Sequence, residues 1–155
     1  MSRAKQPRNK AYHRRPSGAR TLRTQPWKLR NVFQPLDDIL NMMESTGFSD
    51  ADRRGTPIFQ SQKDSCWYTS APAINGVADW YEIHARRSGR TMPIEPLRRV
   101  ANKLHYGSMV FASDVADMRA ALATLRHETM DMTEDYAHSL LQTVCIRIEL
   151  ERKTA

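Results

Sequence analysis

Apolar side chains recur every three or four residues over most of the chain beyond residue 34, and this period is that of an α-helix. The clearest stripe is formed by Leu97, Val100, Ala101 and Leu104, which fall at i, i+3, i+4 and i+7 on one helix face. Four other segments show a similar stripe. We therefore predict five helices, at residues 34–45, 70–87 and 93–105, and starting at residues 113 and 133.

Residues typical of helix ends lie at the borders of these stripes. Thr69 or Ser70 is the expected N-cap of the second helix, and Ser113 that of the fourth. Gly47 and Gly89 follow the first and second helices, at positions where glycine commonly ends a helix. The predicted helix borders therefore rest on end signals as well as on periodicity.

The last stripe allows two interpretations. From Tyr136 it continues at helical spacing through Leu140 and Val144, whereas residues 144–150 also alternate between apolar and polar, as an edge strand does. We prefer a helix. The alternative is a short strand pair formed by residues 144–150 and residues 57–61.

These patterns predict a mainly α protein, built as a bundle of about five helices. The connection at residues 47–70 is longer than ordinary helix connections, so it is either functional or contains short strands. The sequence does not determine the role of this loop.

Positive charge is concentrated before the first stripe. Residues 1–36 hold ten Lys and Arg and no Asp or Glu, while the rest of the chain holds 14 Lys and Arg against 17 acids. Apolar residues are sparse among these cations, and Pro and Gly interrupt any helix, so the segment cannot bury enough surface to fold alone. We predict a disordered basic arm at residues 1–33 and a helical domain at residues 34–155.

A cationic arm of this kind binds phosphates by releasing their condensed counterions, and aromatic side chains within it can stack on bases. Cations on the third predicted helix form a second basic surface. The sequence thus predicts a non-enzymatic accessory protein that binds nucleic acid. The residues expected at the interface are Arg8, Lys10, Tyr12, Arg14, Arg15, Arg20, Arg23, Trp27, Arg98, Arg99 and Lys103.

Binding is expected to show little sequence specificity. The link between the third and fourth helices is too long for a helix-turn-helix, and the fourth helix begins with acids where bases would have to be read. DNA and RNA both stay open as ligands. Two alternatives also stay open: a modulator that docks on a protein partner through its helical domain, and a solubilising tail that binds nothing specific.

One short segment contains Gln60, then Ser65-Cys66-Trp67 and Ser70-Ala71. It resembles the nucleophile region of papain-like cysteine proteases, with Gln60 at the place of the glutamine of the oxyanion hole. The resemblance implies a cysteine hydrolase that uses Cys66. However, the His and Asn of that family lie about 130–150 residues downstream, and only 89 residues follow Cys66. We therefore expect no enzyme, and expect Cys66 and Trp67 to be buried.

Neither a metal nor a cofactor is expected. The five histidines follow no metal-binding spacing, and no glycine-rich phosphate loop is present. Cys66 and Cys145 are too few for a disulfide framework, which fits a reducing cytoplasm. No apolar run approaches the roughly 18 residues of a membrane span, so we expect no membrane contact. The oligomeric state is not determined by the sequence.

The general layout is similar to that of small uncharacterised basic proteins encoded by phages and prophages of proteobacteria. Residues 10–16 (KAYHRRP) resemble the openings of such proteins, and residues 97–122 resemble a pair of their helices. This resemblance implies a bacterial cytoplasmic setting and no particular activity.

Overall fold

Five helices and a small sheet make up the computed structural model of the chain, which describes residues 19–47 and 49–154. The mainly helical prediction is confirmed. In chain order, a 3-10 turn at Leu22–Thr24 is followed by α1 Pro26–Thr46, β1 Asp50–Ala51, β2 Pro57–Gln60, β3 Trp67–Thr69, α2 Ser70–Ser88, α3 Glu95–His105, α4 Ala112–Met130 and α5 Glu134–Thr154.

The first helix begins at Pro26, eight residues before the predicted start at Gln34. Proline is well tolerated in the first helical turn, and Leu29 and Phe33 are buried on the inner face of α1. The predicted disorder therefore does not extend over residues 19–33, which belong to the folded part. The remainder of the predicted arm, residues 1–18, lies outside the described residues.

A backbone strap joins the start of the described chain to the turn between α4 and α5. The N–H of Leu22 donates to the carbonyl of Met132, and the N–H of Glu134 donates to the carbonyl of Arg20, both at 2.9 Å. Thr21 and Thr133 form an antiparallel bridge between these bonds. The strap fixes where residues 1–18 join the fold.

The core lies where α2 and α4 pack against the other helices. α2 contacts α3 and α5, and α4 contacts α1 and α3. At the centre, the Tyr81 hydroxyl donates to the carbonyl of Leu125 at 3.2 Å and is hydrogen-bonded to the hydroxyl of Thr129. Burial raises the pKa of Tyr81 well above its ordinary value, so the hydroxyl stays protonated. The largest fully buried side chains are Tyr81, Phe33, Leu36, Ile39, Leu40, Ile74, Leu97, Met118, Leu122, Leu125, Leu140 and Val100.

The connection between α1 and α2 forms a three-stranded antiparallel sheet in the order β1-β2-β3. A strand near residues 57–61 is therefore confirmed as β2. The proposed strand at 144–150 is wrong, because this segment lies inside α5. Leu140 and Val144 are buried on α5, so helical packing determines the structure here rather than the alternation that follows.

Besides the start of α1, helix borders differ from the predictions at two further N-termini. Gly47 and Gly89 end α1 and α2 with φ of 77° and 67°, in the left-handed region that glycine tolerates. Ser113 does not cap α4, which begins at Ala112; the carboxylate of Asp114 instead accepts the N–H of Phe111 at 2.8 Å. α3 begins at Glu95 rather than at residue 93.

Within the described residues, no helix combines the length and the apolar character that crossing a membrane requires.

Phe33→Ala tests whether residues 19–33 belong to the core. Phe33 is 1% exposed, so its truncation should lower the free energy of unfolding by about 3–5 kcal/mol. The measurement is chemical unfolding followed by circular dichroism. Val32→Ala is the matched control, because Val32 is 48% exposed on the same helix and should change stability by less than about 1 kcal/mol. Equal effects of the two substitutions would contradict the packing of α1.

Candidate nucleic-acid interface

The charges of the protein divide between residues 1–18 and the folded part. Residues 1–18 contain six Lys and Arg and no acid, while residues 19–154 contain 18 Lys and Arg and 17 Asp and Glu. The folded part is thus close to neutral. Five predicted interface residues lie outside the described residues, namely Arg8, Lys10, Tyr12, Arg14 and Arg15.

Arg98 bridges α3 to α2. Its guanidinium donates to the carboxylates of Asp79 and Glu82, the latter at 2.9 Å, and to the side-chain oxygen of Asn75 at 3.0 Å. Two carboxylates thus neutralise a cation that the sequence suggested for phosphate binding. These two ion pairs have no signature in the sequence, because the partners precede Arg98 by 16 and 19 residues and lie on another helix.

Arg99 and Lys103 join α3 to the start of α4. Arg99 donates to Glu95 at 2.5 Å and to Asp117 at 3.1 Å. Lys103 donates to the buried carboxylate of Asp114 at 2.6 Å. This hydrogen bond is the main cause of the lowered pKa of Asp114. The predicted second basic surface is therefore a set of ion pairs between helices.

Arg23 and Lys28 reinforce the strap. Arg23 donates to Asp131 at 2.8 Å, and Lys28 pairs with Glu134. The hydrogen bond from Arg23 lowers the pKa of Asp131, and the one from Lys28 does the same for Glu134. Of the predicted arm residues in the described part, Arg20, Arg23 and Trp27 are all exposed. Arg23 also pairs with Asp131, and the Lys28 ammonium lies over the Trp27 ring.

A cleft of about 270 Å³, lined mostly by residues with polar side chains, lies between α1 and the turn that joins β2 to β3. Two cations line it from opposite walls, Arg30 on α1 and Lys63 in the turn. The other lining residues are Asn31, Gln34, Pro35, Ser61 and Gln62. This site has no signature in the sequence, since its two walls are some 30 residues apart and no motif connects them.

A larger groove of about 660 Å³ lies between the end of α1 and the start of α4. Apolar side chains dominate its lining, Glu44 contributes a negative charge, and no Lys or Arg lines it. It flanks residue 48, which is outside the described residues. This groove has no chemistry that attracts phosphates.

Cys66 is exposed in the loop before β3, four residues ahead of the start of α2. Its N–H donates to Asp64 at 3.0 Å, and the side-chain amide of Gln60 donates to the carbonyl of Ser65 at 3.0 Å. The expectation that Cys66 and Trp67 are buried is wrong, because Trp67 is 52% exposed. The loop position also separates the thiol from the helix N-terminus that the protease resemblance implies.

The buried histidine of the fold is engaged in a structural network. His84 is hydrogen-bonded to the hydroxyl of Tyr136 at 2.8 Å and to the carboxylate of Glu128 at 3.3 Å. Among residues 19–47 and 49–154, no group of three or more His, Cys, Asp and Glu is arranged to hold a metal ion.

Several large apolar side chains of α5 are exposed. Leu140 and Val144 are buried against the core, as predicted, but Leu141, Cys145 and Ile148 are not. These three fall at i, i+4 and i+7, so they form one stripe on the outer side of α5. The amphipathic period correctly indicated a helix there, but it assigned too many residues to the inner face.

Comparisons with protein-family models, with curated proteins and with solved structures found no match to this chain. The two resemblances noted in the sequence therefore stay predictions.

Lys103→Met tests the link between α3 and α4. It removes the main cation of buried Asp114, so the free energy of unfolding should fall by about 1–2 kcal/mol at pH 7. Folding lowers the pKa of Asp114. The stabilisation by this carboxylate is therefore fully present at pH values above the pKa that Asp114 has in the unfolded chain, and it is lost as the pH falls through the pKa that Asp114 has in the folded protein. The difference between wild type and variant should therefore shrink below about pH 4. A difference independent of pH would contradict this role.

Proposed function

We propose that this protein is a non-enzymatic accessory protein of the bacterial cytoplasm that binds nucleic acid through its cationic N-terminal segment, residues 1–18 together with Arg20. Binding has little sequence specificity, because the segment carries cations that suit phosphates rather than side chains arranged to read base edges. The observation that supports the proposal is the division of charge between this segment and the folded part.

The ion pairs of the folded part strengthen this argument. Arg23, Arg98, Arg99, Arg119 and Arg126 all contact carboxylates at 3.1 Å or less. A cation that is already paired with a carboxylate contributes little net free energy to phosphate binding, because its existing ion pair must first be broken. Residues 1–18 contain no acid with which their six cations could pair locally. The attraction for a polyanion therefore originates mainly from this segment.

A salt titration of duplex binding tests the proposal. If the six cations of residues 1–18 neutralise about six phosphates, log K should fall with log salt at a slope near −5. Replacing all six with Gln in the full chain should abolish most of that slope. Arg53→Gln with Arg54→Gln is the control, because both are exposed in the turn between β1 and β2. A flat salt dependence of the wild type would overturn the proposal.

Protein binding through the helical part is the second candidate, and the exposed stripe of α5 favours it. We propose that the partner is a second copy of the chain, packed antiparallel along α5. The first turn of α5 holds the exposed Asp135 beside Glu134, which already pairs with Lys28, and its last turn holds Arg152 and Lys153. An antiparallel pair centred on Cys145 brings each acidic end within about one turn of the basic end of the other helix.

Sedimentation velocity over a range of concentrations tests this pairing. The wild type should dimerise, and Leu141→Glu with Ile148→Glu should keep the chain monomeric, because two charges would be buried in the apolar stripe. Met109→Glu is the control, since Met109 is exposed in the link between α3 and α4. A wild type that stays monomeric at all concentrations would contradict self-association.

A further inference from the structure

The cleft between α1 and the β2–β3 turn has firmly held walls. The buried carboxylate of Asp38 accepts the backbone N–H of Gln62 at 3.1 Å and the side-chain amide of Gln34 at 2.8 Å. Within the turn, the N–H of Ser61 donates to the carbonyl of Cys66, and that of Ser65 donates to the carbonyl of Ser61, both at 2.9 Å. These bonds fix the turn against α1, so the cleft is formed before any ligand arrives.

The cleft presents positive charge to the solvent. Arg30 and Lys63 are exposed, and within residues 19–47 and 49–154 neither forms an ion pair. Lys63 instead approaches the side-chain oxygen of Asn31 at 3.4 Å. The neighbouring carboxylates already hold donors: Asp38 as described, and Asp64 from the hydroxyl of Tyr68 at 2.7 Å. A phosphate that enters between Arg30 and Lys63 can therefore accept hydrogen bonds from both walls.

The remaining polar groups of the cleft both donate and accept. Asn31, Gln34 and Gln62 carry side-chain amides, which suit the mixed donors and acceptors of base edges and sugar hydroxyls.

Trp27 lies one turn before Arg30 on α1, outside the residues that line the cleft, and the Lys28 ammonium is 5.1 Å from the centroid of its ring. Trp27, Arg30, Asn31 and Gln34 fall at i, i+3, i+4 and i+7, so they share one face of α1. The indole is 57% exposed, although it is a large apolar group. An exposed aromatic ring beside unpaired cations is the arrangement on which proteins stack the bases of single strands.

We infer that this cleft binds one nucleotide of a single-stranded nucleic acid, with its phosphate between Arg30 and Lys63 and a neighbouring base stacked on Trp27. The inference rests on the proposed function and adds a preference for single strands. Bases within a duplex are stacked on each other, so they do not reach Trp27, whereas those of a single strand do. Residues 1–18 join the described structure eight residues before Trp27, so that segment and the cleft can engage the same strand.

Affinity of the full-length protein for labelled oligo(dT) and for a duplex of the same length tests the cation pair. Arg30→Gln with Lys63→Gln should weaken oligo(dT) binding about tenfold and duplex binding less than about twofold. Arg53→Gln with Arg54→Gln removes the same charge from an exposed turn and should change both affinities by less than about twofold. All four positions are exposed, and thermal unfolding verifies that each variant is folded.

A second pair of variants tests stacking. Trp27→Leu should weaken oligo(dT) binding about tenfold. Trp67→Leu is the matched control, because its indole is 52% exposed on β3 and not on the α1 face that carries Arg30. It should leave the affinity within about twofold.

The outcomes separate the inference from the proposed function. The cleft inference is overturned if the Arg30/Lys63 variant weakens single-strand and duplex binding equally. It is also overturned if this variant weakens binding no more than the Arg53/Arg54 control does. In either case the proposal of salt-dependent binding by residues 1–18 stands. Equal effects of Trp27→Leu and Trp67→Leu would overturn the stacking. If the wild type binds neither nucleic acid, the proposed function and the inference both fall.

Discussion

The arrangement of the helices depends on charge pairing between α3 and its neighbours. Arg98 contacts Asp79 and Glu82 on α2, while Lys103 reaches the buried Asp114 at the start of α4. Exposed ion pairs contribute only about 0–1 kcal/mol each, so most of the stability comes from the apolar core. The pairs matter for the orientation of α3, because burying a carboxylate such as that of Asp114 costs free energy unless its cation is in place. α3 is thus held on both flanks by charges that would otherwise be available to a ligand.

This pairing also determines where a polyanion is attracted. The chain has a net charge of +7, yet residues 19–154 hold 18 cations against 17 acids. The charge that acts over a distance therefore belongs mainly to residues 1–18, while Arg30 and Lys63 supply a local pair on a fixed surface. A segment of high charge accelerates encounter, whereas a preformed cleft discriminates by shape and stacking. The two features would complement each other in the single-strand binding that we propose.

Periodicity was sufficient to predict α2, α3 and α4 and favoured a helix over a strand for α5, because each of these helices buries apolar side chains at helical spacing. It failed at the start of α1, where Pro26 and the surrounding cations suggested an unfolded segment, although Leu29 and Phe33 continue the stripe of that helix. It could not identify the partners of Arg98, because ion pairs between helices depend on tertiary packing. For the same reason the cleft, whose walls are Arg30 and Lys63, has no signature in the sequence.

The first two turns of α1 combine three tasks on three faces. Leu29 and Phe33 pack into the core, Lys28 pairs with Glu134 at the start of α5, and Arg30 lines the cleft with the exposed Trp27 one turn before it. The backbone strap at residues 20–22 immediately precedes this helix and is bonded to residues 132–134. A ligand held by residues 1–18 is therefore attached to the same rigid unit that carries the cleft. Because the core face and the strap fix α1 in position, Trp27 and Arg30 need little reordering when a strand binds, which favours affinity.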